Sequence, residues 1–134
     1  YPLNRDKVEL AQADREKAWS YDADFWFLHN VQFLLYFYSH RYQDAVASLT
    51  RALPRYSVNG DTYWMRALAL RELHRATEAE RDALTAVAVD RRFMFGKTDT
   101  LVKLGYLLPG PITGDASAPL RDAVRACMLD EGCW

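Results

Sequence analysis

The chain reads as all-α, and three observations carry that reading. Apolar residues recur at helical rather than strand spacing, and no segment alternates as a strand would. Capping and stop signals cut this pattern into helices of ordinary length. Finally, HRYQDAVASLTRAL, His40 to Leu53, returns in register as HRATEAERDALTAV, His74 to Val87. At that offset His40 maps to His74, Arg41 to Arg75, Asp44 to Glu78, Ala45 to Ala79, Ala52 to Ala86 and Leu53 to Val87. A fixed period of this size means stacked copies of one supersecondary unit.

About seven helices are expected. Lys7 to Ser20 is charged, with a thin apolar stripe of Val8, Leu10, Ala11 and Ala18, so it predicts a solvated helix lying on something else. Asp24 is a candidate N-cap for the next helix, Phe25 to Ser39. That helix is apolar nearly all round, the pattern of an element buried on two sides or carrying a binding face. The third, Tyr42 to Leu53, stops near Pro54, because the residue before a proline is pushed out of the α region. Asn59-Gly60 marks a turn, and Asp61 or Thr62 is placed to cap a fourth helix, Tyr63 to Leu73. Thr77 and Glu80 have capping-box spacing for a fifth helix running to about Asp90. Asp99 to Leu107 predicts a short sixth. Leu108 to Pro119 is loop by composition, and Leu120 to Leu129 closes the chain as the last helix.

Helix pairs that recur with a period of about 34 residues are the mark of the tetratricopeptide repeat family, which this chain resembles. The likeness rests on small residues in the second helix of each pair, Ala45 and Ala52, then Ala79 and Ala86, two turns apart on one stripe. Tyr42 fills the aromatic position before the first alanine, and Ala76 replaces it in the second unit. The departures are a missing proline at each unit's end, His-Arg in place of glycine between the helices, and His29 and Tyr63 where tryptophan is usual. The resemblance implies a right-handed superhelix of antiparallel helix pairs forming one domain. Residues 1–24 would be a degenerate half repeat, 26–59 the first unit, 60–92 the second, and 93–134 a degenerate third unit with a C-terminal cap. It further implies a concave face built from first helices, which places Phe27, Asn30, Leu34, Phe37 and Tyr38 with Trp64, Leu68 and Arg71 as a partner-binding surface. An apolar floor edged by Asn and Arg suits an extended peptide or a partner's amphipathic helix. Burial of these aromatics under the first helix or the Leu108–Pro119 loop is the competing expectation.

Other chemistry is thinly represented. A net charge of −1 gives no basic patch for nucleic acid, and no apolar run reaches membrane-spanning length. The three histidines do not converge: His40 and His74 occupy equivalent turns and His29 lies on the aromatic helix. No metal-binding pair, phosphate-binding glycine loop or nucleophile elbow is present, so no catalytic residue, metal or cofactor is expected. Cys127 and Cys133, the only two cysteines, are close enough to bridge if the chain folds back at Gly132, and otherwise are two reduced thiols. A bridge favours an oxidising compartment such as the periplasm, and reduced thiols a cytoplasmic one. The chain opens Tyr-Pro without Met, as a mature or excised fragment would. The expected function is a protein-interaction module of a bacterial assembly or secretion complex. A small chaperone shielding a partner segment, or an apolar small-molecule binder, are the alternatives, and self-association stays open.

Overall fold

A computed structural model describes residues 26–110 and 117–130. Within them the fold is all-helical: α1 (Trp26–Tyr38), α2 (Tyr42–Ala52), α3 (Gly60–Glu72), α4 (Ala76–Val89), α5 (Arg91–Lys103) and α6 (Ala118–Leu129). The expected helix at Lys7–Ser20 and Cys133 lie outside the described residues, as do the side chains of Trp26, Phe27 and His29.

The repeat is visible in the backbone itself. His40 and His74 both take left-handed conformations, φ 58° and 60°. Behind them Arg41 and Arg75 share one shape, φ −96° ψ 61° and φ −99° ψ 64°. Each turn closes as a Schellman motif. His40 N–H donates to Phe37 O and Arg41 N–H to Tyr36 O, while His74 donates to Arg71 O and Arg75 to Leu70 O. The same closure ends α5, where Gly105 (φ 86°) donates to Val102 O and Tyr106 to Leu101 O. Histidine is among the few non-glycine residues found in this region, so His-Arg takes the place expected of glycine at some conformational cost.

Neighbouring helices pack in chain order, most extensively α3 on α4, then α2 on α3 and α1 on α2. Ala45, Ala52, Ala79 and Ala86 are all buried, and so is Ala67 on α3. Their lack of bulk lets helix axes approach closely around a core that includes Phe33, Leu49, Leu70, Val87 and Leu101. Beyond α4 the pattern changes. α6 lies against α4 and, less extensively, against α3 and α5. Its buried face is Leu120, Ala123, Val124, Cys127 and Met128, an i, i+3, i+4, i+7, i+8 stripe.

Three expected helix starts move. Asn59 caps α3, accepting from Thr62 N at 3.2 Å, so neither Asp61 nor Thr62 is the cap. α4 begins at Ala76 with no side-chain cap, which puts Thr77 and Glu80 inside the helix rather than in a capping box. α5 starts at Arg91, well before the expected Asp99, and ends at Lys103. The reason is Asp90, which is at once the C-cap of α4 and the N-cap of α5. One residue separates the two helices, too little to punctuate the sequence.

Candidate interaction surface

α1 contains no Asp, Glu, Lys or Arg. Its core side is Phe33, Tyr36 and Phe37, with Phe37 tilted on Phe33 at 5.2 Å and edge-on to Tyr42 at 5.3 Å. Gln32 is buried, accepts from Ser48 Oγ at 2.6 Å and donates to Tyr36 OH at 3.1 Å, which fixes the roll of α1 on α2. That roll leaves Val31, Leu34 and Tyr38 outward, at 39%, 43% and 44% exposure. They stand at i, i+3 and i+7, the spacing of a helix–helix seam. Asn30 borders the stripe, half-buried. Leu34, Tyr38 and Asn30 were expected here from sequence. Val31 was not, although its helical spacing to Leu34 was the available signal.

The corresponding face of α3 is closed. Leu68, one period on from Leu34, is 2% exposed, and Met65, one period on from Val31, is 8% exposed. Arg71, expected to hold a partner's carboxylate, donates instead to the Asp130 backbone carbonyl at the end of α6, at 3.3 Å. Asp130 also accepts from the Tyr106 hydroxyl. So α6 is tied to α3 at its carboxyl end and to α4 through Arg125 and Glu80 at 2.7 Å. Phe37, Trp64 and Leu68, expected on an open concave surface, are core residues here.

Trp64 is 4% exposed and turns toward α5, its ring 5.6 Å from Phe93. Lys97 lays its ammonium 4.1 Å above Trp64 and 5.5 Å from Phe93. Burial pushes the Lys97 amine down to about 8, against the pull of Asp61. The Asp61 carboxyl rises from its ordinary value: the surrounding chain desolvates it although its surface is open, Asp90 repels it, and Lys97 draws it the other way. Asp90 itself accepts from Gly60 N at 2.8 Å and Phe93 N at 3.1 Å, so one carboxylate serves the first turns of two helices. Asp61, Asp90, Phe93 and Lys97 line a cleft between α3 and α5, across which Asp90 holds the first residue of α3.

Among the described residues, no group of three His, Cys, Asp or Glu is arranged to hold a metal ion, and no helix is long and apolar enough to cross a membrane. Cys127 is buried and carries no free thiol. No family model, curated protein or solved structure matches the chain.

Proposed function

We propose that the chain is a tetratricopeptide-like interaction module whose α1 face receives a helix of a partner protein. The observation that carries this reading is the outward Val31, Leu34 and Tyr38 on a helix without a single charge. The outward Val31 and Leu34 side chains are apolar, and a partner's apolar helix laid along them would take that surface out of water. The second unit supports the choice of a helix as occupant. There, the equivalent face of α3 is buried and α6 is the helix tied beside it. Among the described residues, no helix takes the corresponding place beside α1 in the first unit. Placement of such a module in a bacterial assembly or secretion complex belongs to the same proposal.

The test compares Leu34→Asp with Val58→Asp, since Val58 is still more exposed, at 73%, but lies outside the stripe. Leu34→Asp should leave the melting temperature nearly unchanged and abolish capture of a partner that both wild type and Val58→Asp retain. Equal capture by all three proteins ends this reading.

A further inference from the structure

The groove running between α2 and α4 over α3 is charged where packing does not call for charge. Its walls carry Arg66, Arg75, Arg81, Glu78 and Asp82. Arg66 grips Asp82 with two hydrogen bonds, 2.6 and 2.7 Å, and reaches Thr50 Oγ1 at 3.2 Å. Arg75 holds Glu78 at 2.9 and 2.5 Å. Arg81 stands exposed on the same lip.

The first unit shows what the fold needs at these places. One period earlier, Arg66 and Asp82 correspond to Gln32 and Ser48, and Arg81 corresponds to Ala47. Gln32 and Ser48 join their two helices with a neutral hydrogen bond of 2.6 Å. Helix pairing is therefore served without charge, and the arginines at 66 and 81 are surplus to it. Only Arg75 has a cationic counterpart, Arg41, which pairs with Asp44 at 2.8 Å.

The balance of the groove is three guanidinium groups against two carboxylates. Its more exposed carboxylate reports the field: Glu78 lies below its ordinary range through its hydrogen bond to Arg75, with the charges of Arg75, Arg81 and Arg66 adding to it. Among the described residues Glu78 is held by a near neighbour in sequence, Arg75, with both side chains close to half exposed (40% and 46%). Such pairs contribute little and exchange readily. A guanidinium presents the same planar fork to any carboxylate, so an outside one replaces Glu78 like for like. Behind the charges, Val46 and Leu70 give an apolar floor for the stem of a Glu or Asp side chain.

We propose that this groove binds a carboxylate-rich stretch of a partner polypeptide, with Arg81 and Arg75 as the anchoring cations and Glu78 as the internal occupant it displaces. The inference is independent of the α1 seam, and Leu34→Asp should leave it intact.

The probe is a fluorescently labelled hexaglutamate peptide, followed by anisotropy at low and at physiological salt. Arg81→Glu should weaken binding by about tenfold or more, because reversal replaces attraction with repulsion at a defined point. Glu78→Gln should tighten it about threefold by freeing Arg75. Arg41→Glu, the same change in overall charge at the position equivalent to Arg75 in the first unit, should have little effect. Both salt conditions should preserve this ranking even as absolute affinity falls. Equal weakening by Arg81→Glu and Arg41→Glu would overturn the proposal in favour of diffuse surface charge. Failure of Glu78→Gln to tighten binding would overturn the displacement, and absence of peptide binding to the wild type would overturn the whole. Circular dichroism of each variant checks that the helices persist.

Discussion

Asp82 accepts both arms of the Arg66 guanidinium across α3 and α4, at the place where Ser48 and Gln32 meet across α1 and α2. One register position thus carries a buried ion pair in one unit and a neutral hydrogen bond in the other. The two chemistries differ in what happens when one member is lost. Asp82 is 5% exposed, and Asp82→Ala strands a partly buried cation, so it should cost about 2–4 kcal/mol. The double change Arg66→Gln with Asp82→Ser copies the first unit and should cost under about 1.5 kcal/mol, since no charge is left without a partner. Urea unfolding of the two variants checks the order. A double variant no better than the single one would mean the units are not interchangeable at this position.

The left-handed histidines make a separate prediction. Glycine meets the φ of 60° at His74 without the Cβ penalty, offset in part by its greater freedom in the unfolded chain. His74→Gly should therefore raise stability by about 0.5–1 kcal/mol. His40→Gly should gain less, because His40 Nδ1 lies 2.9 Å from the Tyr42 hydroxyl and that contact is lost with the ring. Thermal melts of both variants would show the difference, and destabilisation by His74→Gly would rule out strain in the turn.

Two glycines should respond in opposite directions to alanine. A Cβ on Gly60 would stand 2.5 Å from Phe93 Cγ and 2.9 Å from the Ala86 carbonyl, so ring and backbone must both yield. Gly60→Ala should cost about 1–3 kcal/mol by overpacking, and should loosen α5 from α3 because Gly60 N also binds Asp90. Gly96, inside α5, has nothing within 4 Å of the same built atom. Gly96→Ala should stabilise by about 0.5–1 kcal/mol through helix propensity alone. Hydrogen exchange in α5 separates the two effects.

Legibility in the sequence followed how local the cause was. The helices of the two units were readable because each carries its own stripe and the stripe repeats; Ala45, Ala52, Ala79 and Ala86 are buried as that periodicity requires. The start of α5 was not, because Asp90 does two jobs and leaves no gap between helices. The candidate surface divided for a similar reason. Leu34 and Tyr38 are outward, but Leu68 is buried, and Trp64 and Arg71 are taken up by contacts far along the chain, with Phe93 of α5 and the end of α6. Nothing in a local pattern announces such cover. The Arg66–Asp82 pair became visible as a pair only beside Gln32 and Ser48 at the same spacing.

The alanine stripe can be tested by filling it. Ala86 is fully buried, and its carbonyl lies against the first residue of α3. Ala86→Leu should cost about 1–3 kcal/mol, since close helix approach leaves no room for three added carbons. Ala47→Leu, at an exposed position of α2, should be nearly neutral. Equal melting temperatures for wild type and Ala86→Leu would refute close packing at this stripe.

Lys97 gives the fold a pH dependence with a definite sign. Its amine is pushed down to about 8 in the folded chain, mainly by burial, against 10.5 for the unperturbed group. Below about pH 8 both states hold the proton, and the cost of keeping an ammonium in the cleft is carried in full. Between about 8 and 10.5 the unfolded chain holds the proton more tightly than the folded one, so stability from this group rises with pH. Above that window both states are neutral and the penalty is gone. The Tyr42 hydroxyl is held upward mainly by burial, the Tyr106 hydroxyl by its hydrogen bond to Asp130, and Lys103 by its hydrogen bond to Asp99, so the wild-type curve mixes several groups. Lys97→Met isolates the one in question: it keeps the stem on the aromatic rings and removes the titrating nitrogen. The stability of wild type minus that of Lys97→Met should climb between about pH 7.5 and 9.5, with the indole reporting the same step. Because Lys97 lies 4.1 Å above Trp64, the fluorescence difference between the two proteins should titrate near pH 8. A flat difference in both readouts across that window would mean that Asp61 and the aromatic faces offset the cost of burial, and that Lys97 stays charged in the fold.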